Sequence, residues 1–353
     1  MAVDRIISPT ADSPPEERAG WALRPTSIAE YIGQPDLVEK IRIAVRAAKM
    51  RQDPLEHMLL HGPPGLGKTT LAHVLAQEMG TTLHCTSGPV LAKGTDLVAQ
   101  LTRIAPGDIL FIDEIHRLPI SVEEFIYPAM EDFRIEITVD SGINARTVQI
   151  KCKPFTLVGA TTRAGLLSSP LRSRFGMVHH LRFYDDVELL TILRRSARLL
   201  GLERCPDEAL TSLAARSRGT PRIANRLLRR VRDFSQVKEN GTMSRLVVDR
   251  ALGLEGIDEL GLDGLDRAYL RTIGTVYAGG PVGLETVAAT MSEDAGTLED
   301  VVEPYLLQIG FLARTRKGRT LTRRACDHLG LEFNASEDAT TEADRSGLLP
   351  GIS

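Results

Sequence analysis

His61-Gly62-Pro63-Pro64-Gly65-Leu66-Gly67-Lys68-Thr69-Thr70 decides how this chain is read. The stretch fits G-x-x-x-x-G-K-[ST], with Gly62, Gly67, Lys68 and Thr69 at the fixed positions. Met58-Leu59-Leu60 before it is an apolar run short enough for a buried strand, and Leu71, Val74, Leu75 and Met79 after it recur at helical spacing. That strand, glycine turn and helix make a phosphate site. Glycines let the backbone wrap closely, and consecutive N–H groups at the positive end of a helix then face phosphate oxygens. Lys68 brings a point charge to the β/γ-phosphates of a nucleoside triphosphate, and the Thr69 hydroxyl is placed to ligate Mg²⁺.

The second half of such a site lies further on. Asp108-Ile109-Leu110-Phe111-Ile112-Asp113-Glu114 is an apolar strand ending in two carboxylates, at the end of the strand where ligands sit in parallel sheets. Asp113 can hold Mg²⁺ directly or through water, and Glu114 can orient and polarise an attacking water. Thr156-Leu157-Val158-Gly159-Ala160-Thr161-Thr162 is a further buried strand with hydroxyls at the same end. In Ser169-Pro170-Leu171-Arg172-Ser173-Arg174-Phe175, arginines flank a serine just before a strand expected over 177–183. Their fixed charge and planar fork suit a phosphate across a subunit boundary. His179 and His180 are adjacent in that strand, so their rings point to opposite faces and a shared metal is not expected.

Bulk properties narrow the class. The chain has 353 residues, room for two or three domains, with 42% hydrophobic and 25% charged residues. A net charge of -3 gives no global attraction to nucleic acid, so DNA binding must come from a local patch. Cys85, Cys152, Cys205 and Cys326 are far apart, which favours neither a disulfide framework nor zinc. Without a signal core or a membrane-length apolar run, a cytoplasmic protein is expected.

The remaining stretches suggest the organisation. Residues 1–20 read as a polar tail; 21–184 as the large nucleotide domain; 185–255 as a small helical lid; 256–333 as a head; and 334–353 as an acidic tail. Tyr31-Ile32-Gly33-Gln34 and the helix through Val38, Ile41, Val45 and Ala48 can cover an adenine or simply pack; periodicity does not decide. Residues 131–150 alternate around Asp140-Ser141-Gly142 as an inserted β-hairpin. Gly219-Thr220-Pro221-Arg222 opens a helix with Thr220 as N-cap and Pro221 at N1. Arg222 then sits at the unfavourable end of the helix dipole, which calls for an anion. A solvated face and an interface fit Arg226, Arg229, Arg230 and Arg232 equally well. In the head, three helices precede a hairpin over 310–322, a winged-helix pattern. Its third helix region carries Glu293, Asp294, Glu299, Asp300 and Glu303 and should repel a major groove. The hairpin, with Arg314, Arg316, Lys317, Arg319, Arg323 and Arg324, should grip backbone phosphates with little sequence preference. A protein-binding winged helix is the alternative.

The constellation resembles the AAA+ ATPases, an α/β P-loop core with a helical lid. The strings HGPPGLGKTTLA, LFIDEIHRL, GATTRAG, GTPRIANRLLRRVRDF and VEPYLLQIGFLARTRKGR resemble the bacterial RuvB family from about Leu23 to Gly330. That resemblance implies an ATP- and Mg²⁺-dependent motor that drives branch migration of Holliday junctions in recombination and repair. It implies a homohexameric ring on double-stranded DNA, loaded by RuvA, with RuvC resolving the junction. It implies ATP contacts at Gly65, Gly67, Lys68, Thr69 and Thr70, at Leu23 and Arg24 on the adenine side, and at Tyr184 and Arg222 on the lid side. Thr162 is the expected sensor, with Thr161 adjacent; Arg174 is the finger for a neighbour's site, and Glu131-Asp132-Phe133 is a further nucleotide-contact segment. Arg314 and Arg319 match DNA contacts, and Asp140 to Ala145 match the element that engages RuvA. Rival readings are a clamp-loader-like or initiator switch, an ATP-dependent protein remodeller and, least favoured by the lid and head, a small-molecule kinase.

Overall fold

The computed structural model describes residues 22–139, 146–202 and 205–333. Both tails and the expected RuvA-binding turn at Asp140 to Ala145 lie outside the described residues. The chain divides into two compact units, one ending at Asp249 and the other starting at Arg250.

The first unit is built on a five-stranded parallel sheet in the order β2-β3-β6-β1-β7. These strands are β1 (Met58–His61), β2 (Leu83–Ser87), β3 (Ile109–Asp113), β6 (Thr156–Thr161) and β7 (Met177–His180). Met58, Leu59, Leu60, Ile109, Phe111, Ile112 and Val158 have no exposed surface, the continuous apolar strand that a sheet covered on both faces requires. The core on one face gathers Leu97, Leu101, Ile115, Val122, Ile126 and Phe175 around Leu110, Ile112 and Leu157. Register fixes the functional edge. His61 pairs with Thr161 on one side and His180 on the other, and Ser87 pairs with Asp113, so the strand ends carrying polar groups are level.

β7 ends at His180, three residues before the expected Phe183. Past it, the Leu181 N–H still donates to His61 O, but Tyr184 turns to bond Gly219 in the lid. The inserted hairpin is present as β4 (Arg134–Val139) and β5 (Arg146–Lys151) in antiparallel register. Its expected start needs correction. Glu131 and Asp132 are the last residues of a helix, Ile120–Asp132, and Phe133 closes that helix at φ 52°.

The lid follows as the helices Asp186–Leu199, Asp207–Ala215 and Pro221–Lys238, with Arg245–Leu254 after them. Asp185 and Glu188 form a capping box at the first. Pro221–Lys238 buries Ala224, Leu227, Leu228, Val231 and Ser235, one helical stripe. Thr220 is its N-cap residue, but the hydroxyl donates to Arg218 O (3.0 Å) instead of accepting from the helix.

The second unit packs Tyr269, Leu270, Ile273, Val287, Leu298, Val302, Leu306 and Phe311 into its own core. Helices Gly264–Arg271, Leu284–Met291 and Glu303–Gln308 precede β8 (Leu312–Thr315) and β9 (Gly318–Leu321). Arg323 and Arg324, read in the sequence as hairpin, instead open a closing helix, Arg323–Leu329. The acidic third helix also needs correction. Glu303 is fully buried rather than facing solvent.

Candidate functional site

The turn between β1 and the helix Lys68–Met79 has left-handed backbone at Gly65 (φ +79°) and Gly67 (φ +98°), which side chains rarely adopt. It borders a cavity of about 700 Å³. Gly65, Gly67, Lys68, Thr69 and Thr70 line one side. Asp113, Glu114 and Thr162, at the ends of β3 and β6, line it too. Leu23 and Arg24 come from the N-terminal stretch, and Tyr184 and Arg222 from the lid side.

Lys68 is buried, and its Nζ donates to Gly62 O (2.8 Å) and Pro63 O (2.9 Å). Burial pulls its pKa down to about 8; Asp113 opposes that shift and the Arg222 charge adds to it. Burial and Arg222 likewise lower Arg24 from its ordinary value. Arg222 thus disfavours the charge of both Lys68 and Arg24 on one cavity, which an anionic ligand would relieve. Thr69 and Asp113 supply hydroxyl and carboxylate oxygens on the same cavity wall, a donor set suited to Mg²⁺. Glu114 sits at φ 47°, a left-handed conformation that costs a non-glycine residue on the order of 1 kcal/mol or more. Its N–H donates to Asp113 Oδ1 (2.9 Å), and its carboxylate pairs with Arg117 (2.8 Å).

The two threonines at the end of β6 separate. Thr162 lines the cavity, whereas Thr161 is buried, with Oγ1 bonded to His116 Nδ1 (2.9 Å) and to the Arg163 N–H (2.9 Å).

The lid touches the phosphate loop directly. The Arg222 N–H donates to Gly65 O (3.4 Å), and a Cβ on Gly65 would fall 2.6 Å from Thr220 Cγ2. Tyr184 Oη lies 3.3 Å from both Tyr31 Oη and Leu66 O. Burial, partly offset by that contact, pushes the Tyr31 hydroxyl up to about 12. Tyr31, which the sequence offers only as part of the stretch Tyr31-Ile32-Gly33-Gln34, stands in the cavity wall. Arg226 and Arg229 also reach that wall, because they follow Arg222 at helical spacing. The same 3–4 spacing was available in the sequence as a signal for them. Arg195, which no motif singles out, also lines the cavity. It donates to Leu23 O (2.7 Å) and Arg24 O (3.3 Å) and pairs with Glu30 (3.0 Å), a long-range contact without a local sequence signal.

Arg174 and Glu131 are not in this cavity. They pair with each other instead, Nε to Oε1 at 3.2 Å, and the Arg174 guanidinium lies over the Tyr127 ring, 4.5 Å from its centroid. Asp132 pairs with Arg134 (3.0 Å), and Phe133 stacks edge-on to Phe155.

In the second unit, Arg314 and Arg319 face each other across β8 and β9. Both turn the Nε edge of the guanidinium to Glu303. Arg314 Nε is 2.8 Å from Oε2 and Arg319 Nε 2.9 Å from Oε1, and Tyr269 Oη donates to the same carboxylate. Burial raises the Glu303 pKa, but hydrogen bonds from Arg319, Tyr269 and Arg314 outweigh it and leave the group lowered. The two arginines are therefore held, not swinging, and Arg314 is the more exposed.

Comparison with known proteins covers most of the described chain. A family model described as the Holliday junction DNA helicase RuvB P-loop domain matches residues 23–181. The RuvB AAA lid domain matches 184–258 and the RuvB C-terminal winged helix domain 259–330. A relative from Desulfosudis oleivorans, the Holliday junction branch migration complex subunit RuvB, is 55% identical over 330 residues, 92% of this chain and 96% of its own. The solved structure of the Thermotoga maritima RuvB Holliday junction branch migration motor is 51% identical, with a TM-score of 0.81 over 88% of this chain and 99% of its own. A mutant of that protein gives a TM-score of 0.82 at 52% identity, over the same shares of the two chains.

Proposed function

The chain belongs to the RuvB family and is an ATP-hydrolysing Holliday junction branch-migration motor, and on that premise we propose how its own residues divide the work. The observation that carries the proposal is the partition just described. Lys68, Thr69, Asp113, Glu114, Thr162 and Arg222 share one cavity, while Arg174 and Glu131 pair with each other outside it.

The triphosphate of ATP lies along the loop from Gly65 to Thr70, with Lys68 at the β/γ-phosphates. Leu23, Arg24 and Tyr31 enclose the base end. Thr69 and Asp113 are the residues that would hold Mg²⁺, which would supply positive charge against the phosphates. Glu114 orients the attacking water and draws its proton, and Thr162 bonds the γ-phosphate side. Arg174, paired with Glu131, acts on the neighbouring subunit's nucleotide, and Asp132 and Phe133 follow in the same segment. An arginine supplied in this way contributes on the order of 10³–10⁵ in rate. Each site is then completed only in a ring, which we take to be a homohexamer.

Arg222 reports the phosphate state to the lid, and lid movement is passed to the winged-helix domain, which grips duplex DNA by its backbone at Arg314 and Arg319. The organisation into residues 21–184, 185–255 and 256–333, between tails, serves that division. RuvA engages the segment from Asp140 to Ala145, which lies between β4 and β5 in sequence, and RuvC joins the complex. The setting is the cytoplasm.

The test is a four-way junction with RuvA, Mg²⁺ and ATP. Movement of the branch point should accompany hydrolysis and vanish in Lys68→Ala. Hydrolysis stimulated by junction DNA without arm movement would support a loading switch instead.

A further inference from the structure

Glu123 takes no part in the steps above, yet it is a nearly buried carboxylate, 5% exposed, inside the helix Ile120–Asp132. Burying a carboxylate is costly unless donors surround it. Here both donors are hydroxyls on one oxygen. Glu123 Oε2 accepts from Tyr127 Oη (2.8 Å) and from Ser168 Oγ (2.5 Å), and those hydroxyls lie 3.2 Å apart.

Each hydroxyl leads to Arg174 by a separate route. Ser168 is the N-cap of the short helix Ser169–Ser173, where its Oγ accepts from the Leu171 N–H (3.3 Å). Arg174 is the C-cap residue of that same helix, and its Nη1 donates back to Pro170 O (2.8 Å). Tyr127 supplies the ring on which the guanidinium lies. Glu131, one helical turn beyond Tyr127, sets its carboxylate 3.2 Å from Nε, an ion pair without a hydrogen bond.

We propose that Glu123 is a positioning residue for Arg174, fixing both the helix that carries the arginine and the ring under its guanidinium. The proposal rests on the role in a neighbour's site given to Arg174 above. An arginine side chain has many rotamers, and a charge that must meet a developing phosphate charge acts best when it is already in place. Glu123 removes that freedom at both ends of the side chain, the backbone end through Ser168 and the guanidinium end through Tyr127.

The test is steady-state ATP hydrolysis by assembled rings. Glu123→Gln keeps the shape and removes the charge. Expected is a kcat lower by about tenfold with KM within about twofold, since only the placement of a transition-state group is lost. Adding Glu123→Gln to Arg174→Ala should cause no further loss. Mixing Glu123→Gln subunits with Lys68→Ala subunits should restore hydrolysis, as intact phosphate loops meet intact fingers. An unchanged kcat, or a loss that multiplies with that of Arg174→Ala, overturns the proposal. If Glu123→Gln does not fold, Tyr127→Phe, which keeps the ring and removes the hydroxyl, is held to the same expectations. Failure of Arg174→Ala to be rescued by Lys68→Ala subunits counts against the shared-site reading itself, and that measurement does not involve Glu123.

Discussion

The Arg222 N–H donates to the carbonyl of Gly65 across 3.4 Å, so the first turn of a lid helix rests on the phosphate loop itself. The contact is close because Gly65 has no Cβ; one built there would meet Thr220 Cγ2 at 2.6 Å and Arg222 Cβ at 3.2 Å. Gly65→Ala must therefore push the lid away, and it also strains a backbone at φ +79°. We expect ATP hydrolysis to fall at least about tenfold, with a smaller loss of ADP affinity, because the γ-phosphate end is the part displaced. Equal loss of ATP and ADP affinity with kcat unchanged would contradict this; equilibrium binding and turnover assays decide.

Lys68 gives a pH prediction. Its folded pKa is lowered to about 8 from an unfolded 10.5, chiefly by burial. Below pH 8 the folded protein carries a charge it disfavours, so this residue lowers stability there. Between about pH 8 and 10.5 the unfolded chain binds more protons, and stability of the nucleotide-free protein rises. Lys68→Met should flatten that rise in thermal melts. ATP binding recharges the lysine, so affinity should weaken above pH 8 by up to about tenfold per pH unit, with proton uptake on binding visible by calorimetry in buffers of different ionisation enthalpy.

The threonines at the end of β6 should separate by assay. Thr162→Val should lower turnover and leave the melting temperature within about a degree, as its side chain borders the cavity. Thr161→Val removes bonds to His116 and the Arg163 N–H from a buried site, and should cost about 1–3 kcal/mol in denaturant unfolding.

The arginines of the hairpin should differ in the same way. Arg319 is the more buried partner of Glu303, and Arg319→Ala should destabilise the winged-helix unit by about 1–3 kcal/mol as well as weaken DNA binding. Arg316→Ala should leave stability alone and lower the salt slope of DNA binding by about 1, uniformly across sequences. Sequence-dependent loss for Arg316→Ala would argue for base reading.

These contrasts also mark what the sequence could tell. The strand ends, the glycine loop and the lid helix were legible because each is local: apolar runs, fixed spacings and N1 proline are written in consecutive residues. Thr162 could not be separated from Thr161 by spacing alone, since adjacent strand residues face opposite ways and only the packing says which way is inward. The charge of Glu303 was misread for a related reason. Counting acids along a helix assumes exposure, whereas Tyr269, Arg314 and Arg319 enclose this one from three other elements. The helix ending at Asp132 was hidden because Pro128 interrupts its pattern.

Arg195 joins the lid helix Asp186–Leu199 to the carbonyls of Leu23 and Arg24, and the Gln34 N–H donates to Glu188 of the same helix. The Leu23–Arg24 wall of the cavity is thus fastened to the lid. On the placement of ATP proposed above, the nucleotide is held by one body at two places, through its phosphates at Arg222 and through its base at a wall tied to that body. Losing the γ-phosphate frees only the first hold. Spent nucleotide then stays until the lid swings, and the timing of exchange passes from the chemistry to whatever moves the lid. Arg195→Ala should hasten ADP release in stopped-flow measurements without changing the rate of cleavage.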